Sequence, residues 1–451
     1  MSDPSKSSSL LGYLSPPTDS LTNNSAPNAW PAHLDRLAVT LIYIILLLVV
    51  LPPTVIISVT RYYAFGPMHK DWDLKTQVMS NVMYWFILFL FLFKLPGKDR
   101  GEDKVAKTMR RKKMEVEQVV VPPCDQSYVV GWAKHQMVKP MSRPGFMIWP
   151  TNKASSGDAE ARGTGLERAK KGEKVILYFV GGGFISGHPL LSHLAWTVSE
   201  LLDTRIFCVN YRKSIQPDAA FPGNLLDALS GYLYLVNELG FEPDKVVVMG
   251  DSAGGNTALG LARYLGELQK QQGESGRKEV GMVGGLILFS PWCDMTEQPG
   301  TSAEFNKKYD YVSSMAVNAI AAHTRHYPNH LRSPYFSPAL PSPDGSPRFS
   351  HLTQGKAGGK KEKKGTKVYV QAGTAELLWD QAKMLCRGMR EEGVDVTLRE
   401  VRRCDFVSAL LLDRDEVATS YANPTQLHLH CLQLPTQSCF VRSFAITGHV
   451  L

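Results

Sequence analysis

The run Lys245-Val-Val-Val-Met-Gly250-Asp-Ser-Ala-Gly-Gly255-Asn256 constrains this chain more than any other. An apolar, strand-like stretch meets a serine flanked by glycines, and the helix-like Thr257–Gly266 follows at once. A strand passing into a helix through G-x-S-x-G is a nucleophile elbow: its turn holds the serine hydroxyl clear of the backbone, within reach of a base and oxyanion donors. Gly250 and Gly254 fall where side chains would collide across so sharp a turn. The pattern predicts Ser252 as a nucleophile and the Ala253 N–H as an oxyanion donor.

A second glycine run agrees with it. Gly181-Gly182-Gly183 follows the strand-like Leu177–Val180 and precedes a helix-like stretch reaching His193–Leu202. Consecutive glycines let backbone N–H groups approach a tetrahedral intermediate without obstruction. A phosphate cradle would call for G-x-G-x-x-G or a P-loop lysine, and the run has neither. Arg205–Val209, Val246–Met249, Leu286–Phe289 and Lys367–Gln371 read as further strands, with helices over Leu225–Leu239 and Leu378–Arg390. Alternating strands and helices predict an α/β fold with a mostly parallel central sheet covered on both faces.

Several motifs in order carry a family resemblance: Tyr178-Phe-Val-Gly-Gly-Gly-Phe184, Asn210-Tyr-Arg212 with Phe221-Pro222, Gly250-Asp-Ser-Ala-Gly-Gly255, Ser290-Pro-Trp-Cys-Asp294 and Gly373-Thr-Ala-Glu-Leu-Leu-Trp-Asp380. From Lys174 to Phe406 the chain resembles the hormone-sensitive-lipase-like branch of the α/β-hydrolases. Within that branch it is most similar to the membrane-anchored steryl acetyl hydrolases of fungi, with arylacetamide deacetylase more distant. The resemblance implies an α/β-hydrolase fold and a triad in the order serine, acid, histidine. It makes Ser252 the nucleophile and the N–H groups of Gly181, Gly182 and Ala253 the oxyanion hole. The family's G-x-x-[DE]-x-L-x-D pattern puts Glu376 in the acid's place, where it would fix a histidine tautomer and stabilise the imidazolium. Asp380 is the alternative acid; its structural reading is a charge complementing a helix N-terminus.

The chain departs from the family twice. Val180 stands where the glycine run usually has histidine, and Cys404 stands where Cys404-Asp-Phe406 would read His-Asp-Phe. Because backbone amides make the hole, Val180 is expected to alter its surroundings only. Cys404 is graver: a thiol with a pKa near 8.5 is mostly protonated at neutral pH and does not relay a proton as imidazole does. His428, His430 and His449 lie downstream, with no local pattern marking any of them as a base.

Upstream, residues 1–35 are rich in Ser, Pro and Asn and read as a disordered tail holding the sequon Asn23-Asn24-Ser25. Residues 36–60 contain Leu37–Val59, an uncharged apolar run long enough for a bilayer core and predicted to be a transmembrane anchor kinked at Pro52-Pro53. A membrane-proximal region over 61–117 holds a second apolar helix at 82–93, read equally as a second span and as an interfacial helix. Lys94 and the run Lys104–Lys113 form a basic cluster that the positive-inside tendency assigns to the cytosol. The hydrolase domain is expected over 118–410, interrupted by a Gly/Lys-rich loop insertion at 354–366, with an atypical C-terminal segment at 411–451.

The net charge of +8 is concentrated in short runs around Lys104–Lys113 and Lys356–Lys367 without interleaved aromatic residues, which argues against a nucleic-acid groove. Seven cysteines without C-x-x-C spacing suggest no metal site, and no cofactor is expected. Two functional readings follow. One is a membrane-anchored esterase or deacetylase, in the endoplasmic reticulum, acting on short acyl esters of hydrophobic alcohols such as sterol acetates. The other is a catalytically impaired hydrolase fold that binds an apolar ligand or a partner at the bilayer.

Overall fold

The computed structural model describes residues 41–401, except 43, 71, 93–100, 152–162, 272–278, 308–309, 311, 313–315, 343 and 354–364. Eight strands make one sheet: β1 (Met114–Val121), β2 (Arg143–Pro150), β3 (Val175–Phe179), β4 (Arg205–Val209), β5 (Val246–Asp251), β6 (Gly285–Phe289), β7 (Lys367–Gly373) and β8 (Val396–Val401). Their order is β1-β2-β4-β3-β5-β6-β7-β8. Only β2 runs against its neighbours; every other pairing is parallel, which bears out the α/β-hydrolase fold class read from the sequence.

Strands β3, β4 and β6 are buried at every residue, which is why they read as unbroken apolar runs. The strands that pattern reading passed over are different. β1 and β8 lie at the sheet edges and carry Glu, Gln and Arg among their valines, and β2 contains two prolines and a glycine.

The helices are α1 (Leu51–Phe65), α2 (Leu74–Leu92), α3 (Gly101–Lys112), α4 (His193–Leu202), α5 (Gly223–Leu233), α6 (Ala253–Lys270), α7 (Ser302–Phe305), α8 (Ala316–His323) and α9 (Trp379–Glu391). A π-helical turn, Leu46–Val50, precedes α1. It falls where Pro52 and Pro53 cannot donate to the carbonyls four residues back. The second apolar helix is longer than its aromatic core suggests, starting at Leu74. Val105 of α3 and Met114 of β1 join the main core, so the globular unit begins ahead of the expected boundary at residue 118.

Helix α4 crosses from β3 to β4, and α5 returns the chain across β3 to β5. This reversal makes the carboxyl ends of β3 and β5 the topological switch point, the usual ligand position in a parallel sheet. The register aligns Phe179 with Gly250, Asp251 with Phe289 and Phe289 with Gln371. The glycine loop, Ser252, Ser290 and the Glu376 turn thus leave the same edge of four adjacent strands.

Candidate active site

Ser252 stands between β5 and α6 with φ 52° and ψ −120°, a backbone conformation that costs a non-glycine residue about 1–3 kcal/mol. The surroundings hold it there. Its N–H donates to the Phe289 carbonyl at 2.9 Å, and its own carbonyl accepts from the Trp292 N–H at 3.0 Å and the Asn256 N–H at 3.2 Å. A β-carbon on Gly254 would strike the Phe179 carbonyl, so glycine lets the head of α6 close against the end of β3. The side chain of Ser252 is left at the N-terminus of an 18-residue helix, where the peptide dipoles favour negative charge.

The glycine loop is pinned from three directions. The Tyr211 hydroxyl donates to the Val180 carbonyl at 2.7 Å, the Ser214 N–H donates to the Phe184 carbonyl at 2.7 Å, and the Gly181 N–H donates to Asp251 Oδ1 at 3.0 Å. The same Asp251 oxygen accepts from the Tyr178 hydroxyl at 2.6 Å. Burial raises the Asp251 pKa, and the Tyr178 and Gly181 donors oppose that rise. Gly182, at φ 114°, then turns the chain so that its carbonyl accepts from the Ile185 and Ser186 N–H groups.

One expected oxyanion donor is therefore corrected. The Gly181 N–H is engaged by Asp251 and cannot also face a reacting carbonyl. Among the described residues, the N–H groups of Gly182, Gly183 and Ala253 donate to no other protein group. Val180 is buried and meets Gly187 across the loop.

Glu376 is fully buried in the turn between β7 and α9. Its Oε1 accepts from the Ser290 hydroxyl at 2.9 Å and the Gly373 N–H at 2.8 Å. Ser290, at φ 43°, is itself held by donating its N–H to the Gln371 carbonyl. The Ser290–Trp292 segment consequently touches Glu376 at one end and the Ser252 backbone at the other. Asp380 takes the structural part: its Oδ2 accepts from the Ser302 N–H at 2.7 Å, and its Oδ1 pairs with Lys383 at 2.6 Å.

Cys404, His428, His430 and His449 lie outside the described residues. The last described residue, Val401, pairs with Gly373 and accepts the Thr374 N–H at 3.1 Å, so β8 ends beside the Glu376 turn.

Three residues without an assigned role in the sequence reading shape the site. Asp251 and Ser290 were visible inside the quoted motifs, but nothing there indicated which neighbours they bind. His323, at the end of α8, had no motif at all. Its ring stacks on Phe184 at 3.7 Å, shares a 3.0 Å hydrogen bond with Ser214, and has its pKa lowered to about 3 by burial. With Phe184 also stacked on Trp292, these rings form a buried aromatic cluster next to the glycine loop, and the neutral imidazole is part of it. Among the described residues no cluster of His, Cys, Asp and Glu is arranged to hold a metal ion.

Comparison with known proteins agrees with this fold. The profile of a family described as alpha/beta hydrolase fold matches residues 176–408. An esterase of Acinetobacter venetianus is 28% identical over 225 residues, which is 50% of this chain and 64% of the relative. The versiconal hemiacetal acetate esterase of Aspergillus parasiticus is 30% identical over 155 residues, 33% of this chain and 44% of its own. Arylacetamide deacetylase of Oryctolagus cuniculus is 33% identical over 109 residues, 22% of this chain and 26% of its own. In each case the match spans less than two thirds of the relative. The family resemblance read from the motifs is borne out.

Proposed function

Because the chain belongs to the alpha/beta hydrolase fold family, we propose that it is a serine carboxylesterase of the deacetylase type. The observation that carries this reading is Ser252, held in a left-handed turn at the head of α6 beside a glycine loop with unengaged amides. In this reading the Ser252 hydroxyl attacks the ester carbonyl. The amides of Gly182, Gly183 and Ala253 receive the oxyanion, the positive end of α6 adds to their field, and Glu376 orients the base.

The preferred substrates are short acyl esters of hydrophobic alcohols, with sterol acetates as the leading case. Trp292, which alone of the buried Phe184–Trp292–His323 cluster keeps a slight exposure, supports an apolar surrounding for the substrate. Leu46–Phe65, apolar over 20 residues and largely exposed, supports delivery from a bilayer, in the endoplasmic reticulum by analogy with the steryl acetyl hydrolases. Two of these relatives, an acetate esterase and a deacetylase, act on acetyl groups by name.

Cys404 favours a second reading, a hydrolase fold that binds an apolar ligand without turning it over. A fluorophosphonate probe separates the two. Labelling that disappears in Ser252→Ala supports an activated serine, and absence of labelling in both the folded full-length protein and its Cys404→His variant overturns the esterase reading.

A further inference from the structure

Helices α1 and α2 form a hairpin whose polar groups are turned inward. Gly66, at φ 81°, ends α1, and Asp73 starts α2 by accepting the Thr76 N–H at 2.7 Å. Gln77 is fully buried between them: its Nε2 donates to the Ser58 carbonyl at 2.9 Å, and its Oε1 accepts the Met68 N–H at 2.7 Å. Asn81 donates to the Ser58 hydroxyl at 2.7 Å. The outer surface is the reverse, with Leu48, Ile56 and Ile57 more than 60% exposed. A water-facing hairpin has no need to hide amides while displaying isoleucine. One in hydrocarbon must, because an unsatisfied polar group there costs several kcal/mol.

The lengths match a bilayer. The sequence is uncharged between Arg36 and Arg61 and again between Lys75 and Lys94, and the described helical runs Leu46–Phe65 and Leu74–Leu92 reach roughly 30 Å and roughly 28 Å. A hydrocarbon core is about 30 Å thick, so each segment is bracketed by cations near the two headgroup layers. The flanks are unequal. The connecting segment 61–75 holds three Lys and Arg, whereas residues 94–113 hold nine. Helix α3, in that second flank, exposes Lys107, Arg110 and Arg111 while packing Val105 into the hydrolase core.

Resting on the membrane attachment proposed above, we infer that α1 and α2 cross the bilayer together as a hairpin, which places the N-terminal tail and the hydrolase domain on the same, cytosolic, face.

The test maps N-glycan acceptors in the full chain translated into microsomes. The tail carries its own at Asn23; a Gly/Ser segment with Asn-Ser-Thr is inserted after Lys70 for the turn, and Asn-Ser-Thr after the exposed Gly172 for the domain. Endoglycosidase-sensitive modification of the turn, with tail and domain unmodified, is expected. A modified domain with an unmodified tail, or the converse, means a single span and overturns the hairpin. Modification of tail and domain together overturns the orientation. No modification anywhere means that the turn does not cross. Carbonate extraction of the same samples reports separately on attachment, so a soluble protein and a misassigned topology give different results.

Discussion

Asp251 accepts the Gly181 N–H at 3.0 Å, joining the residue before the elbow serine to the first glycine of the loop opposite. With the Tyr178 hydroxyl on the same oxygen, this carboxylate sets the distance between the two halves of the proposed oxyanion hole. Loosening it should leave substrate binding largely intact and slow the chemistry. For the most active form of the enzyme on p-nitrophenyl acetate, Asp251→Ala is expected to lower kcat by about 10²-fold with little change in KM, as a displacement of about 1 Å does. Asp251→Asn, which keeps one acceptor oxygen, should lose less. Equal kcat for all three proteins would show that the contact does not position the loop.

Ser290 serves Glu376 in a comparable way. Its hydroxyl donates, beside the Gly373 N–H, to a buried carboxylate oxygen, and hydrogen bonds to charged groups contribute about 1.5–3 kcal/mol. Ser290→Ala should lower unfolding stability by that amount, seen as a reduced denaturant midpoint at unchanged slope. Ser290→Gly relieves the positive φ but also removes the hydroxyl, so it should recover only part of the loss.

Lys213 gives the fold a pH dependence. Its stem is partly exposed, but its ammonium is buried over the Tyr211 ring at 3.4 Å, without a hydrogen-bond partner among the described residues. Burial and then the Arg143 charge push its pKa down to about 7, against the opposing pull of Asp227 and Asp251. His188, also buried with its pKa lowered to about 4, is further held neutral by this cation. Since the folded pKa lies below the unfolded value near 10.4, the unfolded chain binds more protons in between, and stability rises with pH from about 7 to about 10. Lys213→Met should therefore raise Tm most at pH 7 and below, with the gain fading toward pH 10. A gain independent of pH would mean that the ammonium is solvated.

The strands and helices that position Ser252 were legible because buried parallel strands are apolar without interruption and the elbow needs glycine at fixed offsets. Edge strands β1 and β8 were not, since half-exposed strands alternate too loosely to stand out from loops. The oxyanion loop shows a finer limit. Three successive glycines announce backbone approach, but not which amide is taken by a neighbour, and the choice between Gly181 and Gly183 as the partner of Gly182 depends on the position of Asp251 across the sheet. His323 was invisible for the same reason: its role comes from rings brought by three separate segments, Phe184, Phe221 and Phe336.

Position 404 offers the most direct test of the proposed esterase activity. Val401 leaves the sheet against the turn that carries Glu376, and Cys404 follows in the sequence at the family's histidine position. Base and nucleophile of a triad act as a unit, so losing either costs on the order of 10⁶ in turnover, while about 10³–10⁴ over water persists from the oxyanion hole and binding. The unmodified chain is accordingly expected to hydrolyse short aryl acetates only slightly above background, with Ser252→Ala changing little. Cys404→His should raise kcat by several orders of magnitude and make it dependent on Ser252 and Glu376. The gain should follow the protonation of the new imidazole, with kcat/KM falling as pH drops below its pKa, because only the neutral ring accepts the serine proton. Strong Ser252-dependent hydrolysis by the unmodified protein would instead locate the base elsewhere, and His428→Ala and His430→Ala would then be the first substitutions to examine. No gain from Cys404→His would favour the ligand-binding reading of the fold.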